Sequence, residues 1–127
     1  MKNSKVAVIP VDKSQLFYRW LILTRPLHGL KGNQLKVLAW LLYYHHNYKT
    51  NIDNEEVVWK MVFDYDTKAK IKEDVGIQDA SFQNVLSILR KKGVIVNNRI
   101  VEAYIPRLEI GAKEFKLIYH FKIKDNE

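Results

Sequence analysis

The sequence predicts an α+β fold, with a three-helix core, an additional N-terminal helix and a long C-terminal β-hairpin. The clearest helix is 78–92, where apolar residues recur at the spacing i, i+3, i+4, i+7 of one helix face: Phe82, Val85, Leu86 and Leu89. After Gly93 the apolar period changes to two, which is typical of half-buried strands. The two patterns together place the helices first and the strands last.

Length and composition limit the architecture and the class of protein. The chain has 127 residues, which suits one domain, and we divide it into an N-terminal arm, 1–12, and a domain, 13–127. Alternating valines in the arm suggest a short edge strand interrupted by Pro10. No apolar run approaches the roughly 20 residues of a membrane span, so we expect no membrane partner and a cytoplasmic location. The absence of cysteine excludes disulfides, thiol nucleophiles and cysteine-ligated zinc.

Two helices are predicted in the first half of the chain. Segment 14–23 has helical spacing, and Ser14 is its expected N-cap. Segment 31–47 is the stronger helix, because Gln34 occupies the second position of a capping box and Leu30 and Leu35 have the spacing of a hydrophobic staple. Since 31–47 is apolar nearly all round, it needs cover on more than one side, from 14–23 or from a dimer partner.

The middle of the chain contains one ambiguous segment and two better-defined helices. Segment 57–63 is rich in β-branched and aromatic residues and is interpreted as a strand, although the two glutamates before it would also suit a helix start. A short helix is predicted over 67–74, with Asp66 as its N-cap. Gly76 then provides the left-handed turn before helix 78–92.

The C-terminal third is predicted to form the two strands of a long hairpin. The first strand region comprises 94–96 and 99–106, and the second is 114–124, with about ten residues each. In 114–124 apolar side chains alternate with a largely basic set, which indicates a half-buried strand with a basic outer face. The intervening loop 107–113 contains Gly111 and two apolar residues, Leu108 and Ile110, which are expected to fold back on the core or to contact another protein.

Segment 67–95 resembles the helix-turn-helix of winged-helix DNA-binding proteins. The shared features are Ile71 in the first helix, the turn Gly76-Ile77, the polar start at Gln78 and the exit Lys92-Gly93-Val94-Ile95. With 30–42, which resembles the first helix of that superfamily, the resemblance covers about 30–123. It is strongest to small phage and plasmid proteins, including replication initiators and regulators. The sequence departs from the pattern in lacking Arg or Lys in helix 78–92 before Arg90.

The resemblance implies that double-stranded DNA is the partner and that helix 78–92 lies in the major groove. The side chains expected to read bases are those on its solvent face: Ala80, Gln83, Asn84 and Ser87. The chain has 21 Lys and Arg against 14 Asp and Glu, a net charge of +7 that favours a polyanionic partner. The basic residues expected to contact the phosphate backbone are Lys68, Lys72, Arg90, Lys91, Arg99, Arg107, Lys113, Lys116, Lys122 and Lys124.

The expected function is non-enzymatic DNA binding in phage or plasmid transcription control or replication initiation, in the host cytoplasm if the protein is phage-encoded. The alternative is a structural or assembly protein, such as a small virion component, with contacts through the N-terminal helix or the hairpin tip. A winged helix that binds RNA is a third interpretation. We expect no enzyme activity, cofactor or metal, because no nucleophile–base set is apparent and the adjacent His45 and His46 face different sides of a helix.

Overall fold

The computed structural model describes residues 6–125 and contains, over that range, six helices and one two-stranded sheet. In chain order the helices are α1 (Lys13–Leu23), α2 (Arg25–His28), α3 (Asn33–Lys49), α4 (Glu55–Val62), α5 (Tyr65–Val75) and α6 (Asp79–Lys91). The antiparallel strands are β1 (Ile95–Val96) and β2 (Arg99–Ile100), followed by a 3₁₀ turn, Glu102–Tyr104. The fold is therefore α+β. Residues 1–5 of the predicted arm and 126–127 of the predicted domain lie outside the described residues.

Helix α3 is the centre of the core, and α1, α4, α5 and α6 all pack against it. Its apolar character on nearly every side predicted this arrangement, and α1 supplies the expected cover through Phe17 and Leu21. Helix α3 begins at Asn33, two residues after the predicted start, with Gly32 as its N-cap. The backbone N–H of Lys31 donates to Gln34 Oε1 at 3.3 Å, which is one half of the expected capping box. Leu30 and Leu35 are both buried beside this capped turn, in keeping with a hydrophobic staple.

The predicted strand at 57–63 is wrong, because this segment forms helix α4. Asn54 caps the helix by accepting the Val57 N–H at 3.2 Å, and two glutamates occupy the first turn, where the helix dipole favours them. Val58 and Val62 are buried on one face at helical spacing. The cap and this buried face outweigh the weak strand preference of β-branched residues.

Both predicted N-caps are also wrong, by a few residues each. Helix α1 begins at Lys13 with Asp12 as its N-cap, rather than at Ser14. Helix α5 begins at Tyr65, because Asp64 rather than Asp66 accepts the Thr67 N–H, at 2.8 Å. The turn that follows α5 agrees with the prediction, since Gly76 adopts the left-handed conformation with φ of 80°.

The predicted long hairpin is wrong, because the observed strands have only two residues each. The chain reverses at Asn97 and Asn98, whose φ values of 53° and 54° are the pair of positive angles that a two-residue type I′ turn requires. The strand then ends at Ile100, because the next residues enter the 3₁₀ turn Glu102–Tyr104. The predicted strand region 99–106 is thus reduced to β2.

The predicted second strand, 114–124, does not form either. Residues 113–125 form neither a helix nor a strand, and within the described range they make no backbone–backbone hydrogen bond. Loop 107–113 is therefore not a hairpin tip, although Gly111 does lie in a turn, in which the Ala112 N–H donates to Glu109 O at 3.1 Å. Leu108 folds back on the core as expected, whereas Ile110 is 57% exposed.

The described part of the N-terminal arm contains no strand, contrary to the predicted edge strand. Residues 6–12 are irregular and exposed, and Val6 and Val8 are more than 80% exposed. Alternating valines without a neighbouring sheet edge have no ladder to join, and a strand needs such a partner.

The Asn97-Asn98 turn provides a prediction about stability. Replacing Asn97 with valine should lower the free energy of unfolding by roughly 1–2 kcal/mol, because a β-branched residue is strained at positive φ. Replacing Asn98 with glycine should leave stability unchanged or raise it, since Asn-Gly is a favoured type I′ pair. Urea denaturation of both variants checks the turn, and equal stability for Asn97→Val and the wild type would contradict it.

Two buried histidines predict a loss of stability in mild acid. His46 is 3% exposed, and burial lowers its pKa to about 4, with nearby Lys13 and Lys49 adding to the effect. Burial also lowers the pKa of His45, although its contact with Glu55 partly opposes the shift. Both rings are therefore neutral in the folded protein. The unfolded chain takes up protons first, below its ordinary pKa near 6.5, so stability should fall as the pH drops from there towards about 4.

Urea denaturation at about pH 7.5 and about pH 5 checks this prediction. His46→Leu should reduce the difference in unfolding free energy between the two pH values. His120→Gln is the matched control, because His120 is exposed and its replacement should leave the difference unchanged. A wild-type protein equally stable at both pH values would contradict the assignment of neutral buried rings.

Candidate nucleic-acid interface

Helix α6 has a sharply divided surface, with one apolar buried face and one polar exposed face. The four residues at helical spacing that were predicted to face the core are all buried: Phe82, Val85, Leu86 and Leu89. Of the candidate base readers, Ala80, Gln83 and Asn84 are exposed, and Ser87 is half-buried. Because the buried face fixes the rotation of the helix, the short polar side chains around Gln83 and Asn84 point to solvent.

The N-terminal end of α6 carries a hydrogen-bonded set of three side chains. Lys72 of α5 contacts Asp79 Oδ1 at 2.9 Å, and Gln83 Nε2 donates to the same oxygen at 3.5 Å. The hydrogen bond from Lys72 is the main cause that holds the pKa of Asp79 below its ordinary value, with Gln83 contributing next. Asp79 is thus neutralised locally by Lys72, which reduces the repulsion that a lone carboxylate would exert on a phosphate.

Helix α5 presents a partly basic side next to this set. Tyr65, Lys68 and Lys72 lie at positions i, i+3 and i+7 of the helix, so they share one face. Tyr65 is 81% exposed, while Lys68 is half-buried. Of the two α5 lysines predicted to contact a phosphate backbone, Lys72 is engaged with Asp79, and Lys68 lies one turn before it.

The C-terminal end of α6 and the hairpin form the second basic part of the region. Arg90 and Lys91 occupy the last turn of α6, where a positive charge is favoured by the helix dipole, and both are exposed. Helix α6 packs against β1, and Arg99 projects to solvent from the paired strand β2. The structure therefore places three of the predicted phosphate contacts on α6 and the hairpin that follows it.

The remaining predicted phosphate contacts follow the hairpin, in loop 107–113 and in segment 113–125. They are all exposed, and they are Arg107, Lys113, Lys116, Lys122 and Lys124. Because 114–124 is not a strand of the hairpin, these residues do not form the basic face of a β-ribbon that the sequence predicted.

Three exposed residues of this region were not identified from the sequence. Asn97 and Asn98 form the tip of the hairpin, next to Arg99, and both are exposed. An Asn-Asn pair between two short apolar segments is a recognised signal for a type I′ turn, and it was available in the sequence. Tyr65 follows the N-cap Asp64 directly, so its exposure depends on where α5 begins.

Neither a metal site nor a similarity to known proteins adds information about this region. Among residues 6–125, no group of three His, Asp or Glu side chains is arranged to hold a metal ion. Over the same range, no helix is long and apolar enough to cross a membrane. No protein-family model, curated protein or solved structure matches the chain.

Proposed function

We propose that the protein is a non-enzymatic winged-helix protein that binds double-stranded DNA, with α6 in the major groove and the β1–β2 hairpin as the wing. The observation that carries the proposal is the exposed polar face of α6, around Gln83 and Asn84, on a helix whose opposite face is buried. Asn and Gln side chains form bidentate hydrogen bonds with adenine, and their amides need no neighbouring charge to do so. A role in phage or plasmid transcription control or replication initiation follows from the sequence resemblance alone.

Charge placement supports the same orientation on DNA. Arg90, Lys91 and Arg99 lie on α6 and the hairpin, and Lys68 lies on the preceding helix of the motif. In a helix-turn-helix the first helix crosses the backbone while the second enters the groove, so these cations would contact phosphates on both sides of the reading face. The exposed Asn97-Asn98 tip carries no charge and would contact sugar or phosphate oxygens through its amides.

A salt titration tests the proposal. Fluorescence anisotropy with a labelled random duplex should show binding that weakens steeply with salt, since each neutralised phosphate contributes about −0.9 to the slope of log K against log salt. No binding at low salt, or an affinity independent of salt, would contradict DNA binding.

Substitutions on α6 test which face reads the bases. Asn84→Ala should reduce the preference for a selected site over random DNA, with a loss of about 1–3 kcal/mol in discrimination if the amide contacts a base in bidentate fashion. Gln15→Ala is the matched control, because Gln15 is an exposed amide on α1. Equal discrimination by Asn84→Ala and the wild type would exclude Asn84 as a reader.

A structural or assembly role is the second candidate. It is favoured by the exposed apolar side chains near the C-terminal end of segment 113–125, where Phe121 is 84% and Ile123 is 93% exposed. Large apolar side chains that remain in water mark contact sites for other macromolecules. A stable multimer that fails to bind duplex DNA at low salt would select this candidate over the first.

A further inference from the structure

Residues 113–125 have the alternating side-chain pattern of a strand but form no strand in the structure. Phe115, Leu117 and Tyr119 are less exposed than Ile118, which is 82% exposed, so the segment alternates between two faces. The rings of Tyr119 and Phe121 lie on the same side, with centroids 6.4 Å apart and planes inclined by 24°. The backbone of the segment has no hydrogen-bonded partner within residues 6–125.

The apolar side chains at the two ends of the segment differ in how far they are buried. Phe115 packs against the core, whereas Phe121 and Ile123 lie 84% and 93% exposed. The C-terminal end of the segment therefore exposes its apolar side chains to solvent. A segment with free backbone N–H and C=O groups and alternating apolar side chains can add to another strand.

The charges at the ends of the segment select a second copy of the same segment as the partner. In an antiparallel pair centred on Tyr119, Phe115 faces Ile123 and Leu117 faces Phe121, so the apolar stripe is continuous. In the same register Glu114 faces Lys124 and Lys113 faces Asp125, and two-fold symmetry makes each of these pairs occur twice.

Neighbouring registers join fewer apolar pairs on the stripe, although the one centred on Ile118 places Glu114 opposite Lys122 and brings no two lysines together. The register must change by two residues to keep the apolar faces together. One such shift places Ile123 opposite Lys113, and the other places Phe115 opposite Asp125. A parallel, in-register pair would place each lysine opposite its own copy. The register centred on Tyr119 contains one unfavourable pair, Lys116 with Lys122, against two favourable ones.

We infer that the protein forms a homodimer in which 113–125 pairs antiparallel with 113–125 of a second copy, centred on Tyr119. The inference does not depend on the function of α6. Pairing satisfies the free backbone groups and removes Phe121 and Ile123 from water.

Charge reversal tests the register. In Glu114→Lys, residue 114 repels Lys124 of the other copy at both symmetry-related positions, and in Lys124→Glu residue 124 repels Glu114. Each variant alone should raise the dimer dissociation constant by about tenfold to thirtyfold. Each variant replaces two attractive cross-strand charge pairs with two repulsive ones, and each pair contributes a fraction of a kcal/mol. A mixture of the two variants should restore wild-type affinity, because both junctions of the mixed dimer again join opposite charges.

Sedimentation equilibrium over a range of concentrations measures these constants. Phe121→Ser should also weaken the dimer, while Leu27→Ser is the matched control, since Leu27 is a 78% exposed apolar residue on α2. Both positions are exposed, so both variants should fold. A wild-type chain that stays monomeric at about 100 μM, or a mixture no tighter than either charge variant alone, would overturn the inference.

Discussion

Replacing Phe82 with alanine is expected to lower the free energy of unfolding by about 3–5 kcal/mol, the usual cost of removing a fully buried aromatic side chain. Phe82 has no exposed surface and lies on the face of α6 that packs towards α3. The same ring lies 6.0 Å from the ammonium group of Lys72, so its loss would also disturb the contact between Lys72 and Asp79. The measurement is urea denaturation followed by tryptophan fluorescence.

Tyr65→Ala is the control for this substitution. Tyr65 is an aromatic residue of the neighbouring helix α5, but it is 81% exposed, so its replacement should change the unfolding free energy by no more than about 0.5 kcal/mol. A small effect at Phe82, comparable with that at Tyr65, would mean that α6 is not anchored by this side chain. The outward orientation of Gln83 and Asn84 would then lose its basis.

The combined variant Arg90→Ala, Lys91→Ala and Arg99→Ala is expected to weaken binding to all duplex sequences alike. If each residue neutralises one phosphate, the salt slope should become shallower by about 3, and affinity at about 0.1 M salt should fall on the order of a hundredfold. All three residues are exposed, so folding should be unaffected. Salt titrations with random duplex DNA measure both quantities.

The matched control is Lys13→Ala, Lys36→Ala and Lys60→Ala, which removes three exposed charges from α1, α3 and α4. This control has the same net charge as the test variant, so it separates local phosphate contacts from the general attraction of a basic protein. An equal loss of affinity in both triple variants would contradict a DNA surface formed by α6 and the hairpin.

The helical half of the fold was largely predictable because its signals are local. The spacing of Phe82, Val85 and Leu86 defines the buried face of α6, and Gly76 marks the turn before it. Segment 57–63 shows the limit of such signals, since its composition favours a strand while the cap at Asn54 and packing against α3 produce a helix. Burial of a periodic face decides the structure where propensities differ by less than about 1 kcal/mol.

The C-terminal half was not predictable in the same way because strands depend on partners elsewhere. Residues 114–124 have the alternation of a strand, but a ladder requires a neighbouring edge, and β2 ends at Ile100. Of the predicted base readers, α6 exposes Ala80, Gln83 and Asn84, whereas Ser87 is half-buried. The two-residue turn that forms the hairpin tip was not predicted, because the residues on both sides of it were assigned to one strand region.

Chemical-shift mapping with a short duplex tests the central proposal most directly. If α6 reads the major groove, the backbone amides of Ala80, Gln83, Asn84 and Asn98 should shift on addition of DNA, while those of α1 should not. If the amides of α6 and the hairpin remain unchanged while shifts appear only in 113–125, the surface that binds DNA is segment 113–125 itself. That result would contradict the proposed insertion of α6 into the major groove.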